Sequence, residues 1–175
     1  MVLIMFLLGL AIGVHLLGIL VIPAIAYIVA YQLHTDTKSE IKLFLITGIV
    51  GVLVLGFIQN GIIPGTIAIA SKMEIIFVDS FGLPFNSGAI FFFILLIGIL
   101  VGGLFYTKKK GYVLGNTIVL SLIVFLIGYG SFATIVIRSN ANTPLDENNP
   151  ENLVTLHAYL KREQYGTWPL MYGPY

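Results

Sequence analysis

The chain has 175 residues, of which 58% are hydrophobic and only 10% charged, with a formal net charge of +1 and a mean hydropathy of +0.99. A soluble domain carries roughly 25% charged residues, so this composition excludes an ordinary soluble fold. The near-neutral balance gives no basis for nucleic-acid binding, and the lack of cysteine removes a disulfide framework and a thiolate metal site.

The charges cluster between apolar runs, a pattern that reads as an all-α, polytopic integral membrane bundle of about four transmembrane spans. The N-terminus lacks the basic region and small-residue cleavage site of a signal peptide, and its apolar run continues to about Tyr31. So abrupt a beginning marks Met1 as an internal start or a truncation point. Drawn as one straight helix, the first run (residues 2–31) would be ~45 Å long, well beyond a hydrocarbon core of ~30 Å. Pro23 removes a helical hydrogen bond, and Gly13-Val14-His15 is a second weak point. The spacing predicts two shorter helices hinged near His15.

Further spans are predicted at 43–58, 89–106 and 112–137. Lys38 and Lys42 lie in loop 32–42, and Lys108, Lys109 and Lys110 in loop 107–111. The positive-inside bias makes both loops cytoplasmic, leaving loop 59–88 and the tail 138–175 external. Within loop 59–88, Asn60-Gly61 and Pro64-Gly65 predict turns and Thr66–Val78 a helix. That segment is expected to lie in the interface, because Lys72, Glu74 and Asp79 are costly at mid-membrane. Pro84 makes a turn, and Asn86 or Ser87 caps the third span. Gly9 with Gly13, and Gly98 with Gly102, form small-xxx-small pairs that read as packing surfaces.

The tail "PLDENNPENL" is the most polar stretch of the chain. Asn149 is expected to cap a helix over about 150–164, with Pro150 in its first position and Glu151 complementing the dipole. Leu153, Leu156, His157 and Leu160 give that helix one apolar face. Gly166 ends it, and "TWPLMYGPY" reads as an irregular loop.

Among motifs, "GYG" at Gly128–Gly130 lacks the preceding Thr-Val of a potassium filter and lies in an apolar helix, so it reads as a glycine-softened helix with a buried tyrosine. None of the predicted spans holds Asp, Glu, Lys or Arg, which disfavours a transporter. His15 is the exception among titratable groups. It reads as a packing histidine or as a group at a helix break where freed N–H groups and imidazole meet a phosphate. Asp146, Glu147 and Glu151 lack the ligand pattern of a calcium loop, so neither metal nor cofactor is expected. Arg162, Glu163, Gln164 and Tyr165, with Tyr159, Trp168, Tyr172 and Tyr175 around them, read as an interfacial aromatic belt or as a carbohydrate or lipid-phosphate surface.

The segments "GLAIGVHLLGILVIPAIA", "FGLPFNSG", "NTPLDENNPENLVTLHAYLKREQYG" and "WPLMYGPY" resemble the bacterial members of the transmembrane O-mannosyltransferase-like family. The resemblance implies a GT-C glycosyltransferase in the bacterial inner membrane, surrounded by membrane lipids. Such an enzyme takes a mannose-like sugar from a polyprenyl-phosphate donor and gives it to Ser or Thr hydroxyls of a protein acceptor on the non-cytoplasmic side. The family's Asp-(Ser/Cys)-Gly-Glu and His-Pro-Pro-Gly type stretches, which carry the catalytic carboxylate, do not occur here. The resemblance therefore assigns no catalytic residue and marks the chain as an internal fragment, inactive alone. It does imply a substrate-binding set. His15 stands where many relatives place a Lys facing the donor phosphate, and Asn148, Asn149, Arg162, Glu163 and Tyr165 match the tail motif. The alternative is a non-enzymatic scaffold or partner subunit whose tail binds another protein.

Overall fold

The computed structural model describes residues 1–33, 40–161, 163 and 166. Among them the regular structure is helical throughout, as composition predicts. Three helical runs are long and apolar enough to cross a membrane, Glu40–Ser80, Ser87–Lys109 and Val113–Ser139, and two shorter apolar pieces precede them. At most 28% of the best window in any long run is buried within the protein. The remaining Ile, Leu, Val and Phe face outward, which water disfavours and lipid accepts.

The chain forms two compact units. The first comprises Met1–Ile63 and Ile99–Phe132. It opens with α1 (Val2–Val14), which stops at His15, where the backbone turns extended (φ −157°, ψ 122°). A 3-10 turn, Leu16–Val21, leads into α2 (Ile22–Leu33). The break near His15 is thus present, and Pro23 sits in the first turn of α2, where its missing N–H costs nothing.

Helix α1 packs most extensively against α6 (Val113–Tyr129), and glycine makes that approach possible. A Cβ on Gly9 would lie 2.2 Å from the Phe125 carbonyl oxygen, and one on Gly128 would lie 2.5 Å from that of Phe6. In lipid, where both faces are apolar, such close van der Waals contact is what favours association. Helix α2 pairs with α3 (Glu40–Phe57). There Tyr27 stacks on Phe44 with ring centroids 5.0 Å apart and donates its hydroxyl to the Phe44 carbonyl at 3.1 Å.

After α3 the helix does not end. A π turn, Ile58–Ile62, carries it into α4 (Ile63–Ile75), and a second π turn, Ile76–Ser80, closes the run. The turns expected at Asn60-Gly61 and Pro64-Gly65 are therefore helix, and loop 59–88 shrinks to the short connection after Ser80. Asn60 Nδ2 donates to the Gly56 carbonyl four residues back at 3.0 Å. The Ile63 N–H reaches Ile58 instead, giving the wide turn. Pro64 follows without a break, and the Ile63 carbonyl accepts from the buried Tyr129 hydroxyl at 2.9 Å.

The second unit comprises Pro64–Gly98 and Ala133–Tyr175. Its organising contact is Glu74, only 3% exposed. The Glu74 carboxylate accepts from the Asn86 N–H through Oε1 and from the Ala89 N–H through Oε2 at 2.8 Å. It thereby caps α5 (Ser87–Lys109), doing the work expected of the Asn86 or Ser87 side chain. Asn86 instead takes a left-handed φ of 73°. Gly88 fits beneath this cap: a Cβ there would lie 2.5 Å from Glu74 Cα and from the Met73 carbonyl oxygen. The far end of α5 carries Lys108 and Lys109 in its last turn, so opposite charges complement both ends of its dipole.

Chain continuity from α6 runs through a 3-10 turn, Gly130–Phe132, into α7 (Ala133–Ser139), and the tail ends in α8 (Leu153–Leu160). The "GYG" motif is helix followed by this 3-10 turn, with Tyr129 4% exposed.

Gly88→Ala is expected to lose about 1–3 kcal/mol, because the clash is with backbone that cannot turn aside. Gly98→Ala, where a Cβ meets nothing within 4 Å, is expected to leave the thermal midpoint in detergent unchanged. Equal midpoints for the two variants would contradict the Glu74–Gly88 packing.

Candidate functional site

The second unit holds an open cleft of about 450 Å³ where the last apolar run ends. Two consecutive residues of α7 begin it: Arg138 is exposed, and Ser139 is 2% exposed. Beyond Ser139 the chain loops out through Thr143, Pro144 and Asp146 and returns at Pro150, all of them lining the cleft with Tyr159 of α8.

Side-chain amides and carboxylates fix this loop. Ser139 Oγ donates to Asp146 Oδ2 at 2.7 Å. With its amide nitrogen facing the same carboxylate, Asn149 donates to Asp146 Oδ2 at 2.8 Å, Ser139 Oγ at 3.2 Å and Glu151 Oε1 at 3.3 Å. Asn140 Nδ2 bridges the Val136 carbonyl at 2.8 Å and the Glu151 carbonyl at 2.7 Å, tying the loop's return to the end of α7. Asn142, Asn148 and Asn149 adopt left-handed φ values of 51°, 64° and 45°, a conformation asparagine tolerates better than most residues.

Asn149 is consequently not the helix cap. That role belongs to Asn152, whose side chain accepts from Val154 N–H at 2.9 Å and Thr155 N–H at 3.0 Å while Thr155 Oγ1 accepts from Asn152 N–H at 3.1 Å. This reciprocal capping box starts α8 at Leu153, not Pro150, because the Asn149 side chain is already committed to Ser139 and Asp146.

The residues picked out by sequence are distributed as follows. His15 belongs to the first unit; it is exposed, and its Nδ1 accepts from the Leu17 N–H at 3.2 Å. The imidazole thus caps the 3-10 turn and keeps Nε2 outward. Asn148 and Asn149 lie in the second-unit loop, and Glu163 is exposed beyond α8. Arg162 and Tyr165 lie outside the described residues, as do Gln164, Trp168, Tyr172 and Tyr175. Arg138, Ser139 and Thr143 were not singled out as site residues, and Tyr159 stood only among the aromatics of the tail. Their separation in sequence gives no motif, and only the loop's return brings them together.

A family model described as the Protein O-mannosyl-transferase TMEM260 N-terminal domain matches residues 1–39. The match supports an O-mannosyltransferase-like family. It covers α1, the break at His15 and α2, and its last residues, 34–39, lie outside the described ones. The tail motif falls beyond the matched range. No curated protein and no solved structure matches the chain. Among the described residues no three His, Asp or Glu side chains come together to hold a metal ion.

One titratable group beside the loop is perturbed. His157 of α8 has an Nε2 shielded from solvent without a hydrogen-bond partner among the described residues. Burial lowers its pKa from the usual 6.5, Lys161 lowers it further, Glu163 opposes, and Lys72 of α4 adds to the lowering. An unfolded chain takes up a proton near pH 6.5 that the folded tail resists, so the tail loses stability as pH falls through that value. The Cε1 chemical shift of His157 is expected to titrate with a midpoint below 6.5, moving up in Lys72→Met. A midpoint at or above 6.5 would contradict this environment. Asn152→Ala is expected to cost about 0.5–2 kcal/mol, read as lost amide protection confined to α8; unchanged protection would remove the cap assignment.

Proposed function

We propose that this chain is the membrane-embedded part of a GT-C type glycosyltransferase. In this reading it serves transfer of a mannose-like sugar from a polyprenyl-phosphate donor to Ser or Thr hydroxyls of proteins on the non-cytoplasmic side of a bacterial inner membrane. The observation that carries the reading is the family match over residues 1–39, the segment whose helix breaks at His15. A helix interruption is where a membrane protein can present polar groups to a ligand without exposing unpaired backbone to lipid. His15 offers its Nε2 there, and the proposal places the donor's phosphate nearby.

The tail supplies the second half. Asn148, Asn149, Arg162, Glu163 and Tyr165 are proposed to wall the cavity in which donor and acceptor meet, outside the membrane together with segment 59–88. Loops 32–42 and 107–111 are cytoplasmic in this scheme, by the clustering of lysines. Holding a lipid-anchored donor and a protein hydroxyl together lowers the entropic cost of their encounter. A carboxylate acting as general base would take the hydroxyl proton as the sugar–oxygen bond forms.

The test is transfer of labelled sugar from a polyprenyl-phosphate donor to a Ser/Thr peptide, using membranes that carry this polypeptide as the cell produces it. Arg162→Ala is expected to lower the rate at least tenfold, the scale of a lost charge-assisted phosphate contact. An unchanged rate would remove Arg162 from the site, and no transfer above membranes from a deletion strain would remove the reading.

A further inference from the structure

The turn that joins α5 to α6 belongs to the first unit and carries its densest charge. Lys108, Lys109 and Lys110 follow one another, all exposed, where the apolar runs Ser87–Lys109 and Val113–Ser139 join through three residues. Among the described residues of this unit Glu40 is the one acidic side chain, set against these three lysines and Lys42. None of the three ammonium groups makes an ion pair or a hydrogen bond among the described residues.

Lysines near a helix C-terminus commonly serve the last carbonyls. Here backbone and neighbouring side chains have already done so. The Tyr112 N–H reaches back to the Thr107 carbonyl at 3.0 Å and the Gly111 N–H to that of Lys108 at 3.1 Å, with Gly111 at a left-handed φ of 70°. That pair of bonds is a Schellman closure. The Lys110 N–H takes the Tyr106 carbonyl at 3.0 Å. Thr107 Oγ1 donates to the Gly103 and Leu104 carbonyls, and Asn116 Nδ2 to the Leu104 carbonyl and to Thr107 Oγ1, both at 3.2 Å. The turn is fixed from within, and the three cations are left over.

The positive-inside bias asks only for a count of lysines; it asks neither for a closed turn nor for aromatic flanks. Tyr106 and Tyr112, both exposed, stand on either side of the three lysines. Tyrosine rings settle at the depth of lipid headgroups, which places the adjacent ammonium groups among them. Consecutive residues at a helix end point about 100° apart, so the three cations fan out and do not converge on one pocket. Such a fan favours headgroups that carry net negative charge over zwitterionic ones, by about fivefold for each lysine near the surface.

We infer that the Lys108–Lys110 turn is a docking surface for anionic phospholipid headgroups, with Tyr106 and Tyr112 holding it at their depth. The inference is independent of the transferase reading and of which membrane face the turn occupies.

The probes are dioleoylphosphatidylglycerol and dioleoylphosphatidylcholine, each titrated onto the protein in an uncharged detergent, with bound lipid counted by native mass spectrometry. Orientation in the cell does not enter this measurement. Phosphatidylglycerol is expected to be retained at least tenfold more tightly, with a preference that falls as salt rises. Lys108→Gln, Lys109→Gln and Lys110→Gln together are expected to abolish the preference, and each alone to remove part of it. Arginine at all three positions is expected to keep it, and thermal midpoints check the fold of every variant. Equal retention of the two lipids, or a preference unchanged in the triple glutamine variant, would overturn the inference. Loss of the whole preference in one single variant would do so too, by replacing the surface with a pocket. Glycerophosphoglycerol, the water-soluble headgroup, is expected not to displace the lipid; displacement at equal concentration would overturn the assignment to a lipid.

Discussion

A backbone N–H or C=O without a partner costs several kcal/mol in hydrocarbon, and that constraint governs where this chain is allowed to stop being a regular helix. Four of the interruptions coincide with a side chain that supplies a missing bond. His15 Nδ1 accepts from the Leu17 N–H where α1 breaks. Asn60 covers the Gly56 carbonyl at the first π turn, and Tyr129 covers the Ile63 carbonyl just after it. Glu74 receives the Asn86 and Ala89 N–H groups at the start of α5. At the turn between α5 and α6, Asn116 donates to the Leu104 carbonyl and to Thr107 Oγ1. The polar residues scattered through an apolar sequence are thus chiefly backbone partners.

This reading changes what a polar residue in such a chain signifies. Glu74 in an apolar segment invites a functional role, since an ionisable group in a membrane segment usually marks a pathway or relay. Both of its oxygens are engaged by N–H groups at a helix N-terminus, where a negative charge is also favoured by the dipole. The carboxylate is therefore occupied by its own protein. Arg138 and the Asp146 carboxylate differ in kind. They face a cleft, and the hydrogen bonds around Asp146 fix its direction without surrounding it.

The same distinction explains what the sequence made legible. Composition and run length predict an all-helical membrane protein because the 1.5 Å rise and the ~30 Å hydrocarbon core leave little choice. The break at His15 followed from length and from Pro23. The turns expected at Asn60-Gly61 and Pro64-Gly65 did not form, since a π turn absorbs an extra residue and lets a proline follow without ending the helix. Turn propensity is a local statistic, whereas the Asn60 and Tyr129 hydrogen bonds depend on tertiary neighbours. Of the glycine pairs, Gly9 lies against α6, while Gly98 and Gly102 meet nothing within 4 Å of a would-be Cβ; spacing alone does not say which face finds a partner. In the tail, Asn149-Pro150 carried the stronger helix-start signal, yet Asn152 with Thr155 satisfied two sets of orphan groups reciprocally and took the role.

The position of the cleft follows from the same physics. Leaving hydrocarbon is the first point at which a membrane-spanning chain can hold a charged group without a buried partner, and Arg138 and Ser139 stand at that exit. Being consecutive on a helix, they point about 100° apart: one is exposed, the other turned into the protein. The buried hydroxyl then needs a partner, and the Asp146 carboxylate supplies it. That one bond draws the loop back over the helix end, sets Pro144 and Pro150 as walls, and leaves the guanidinium facing the space so enclosed. A polar cleft beside the end of a span thus accompanies the satisfying of a single buried serine.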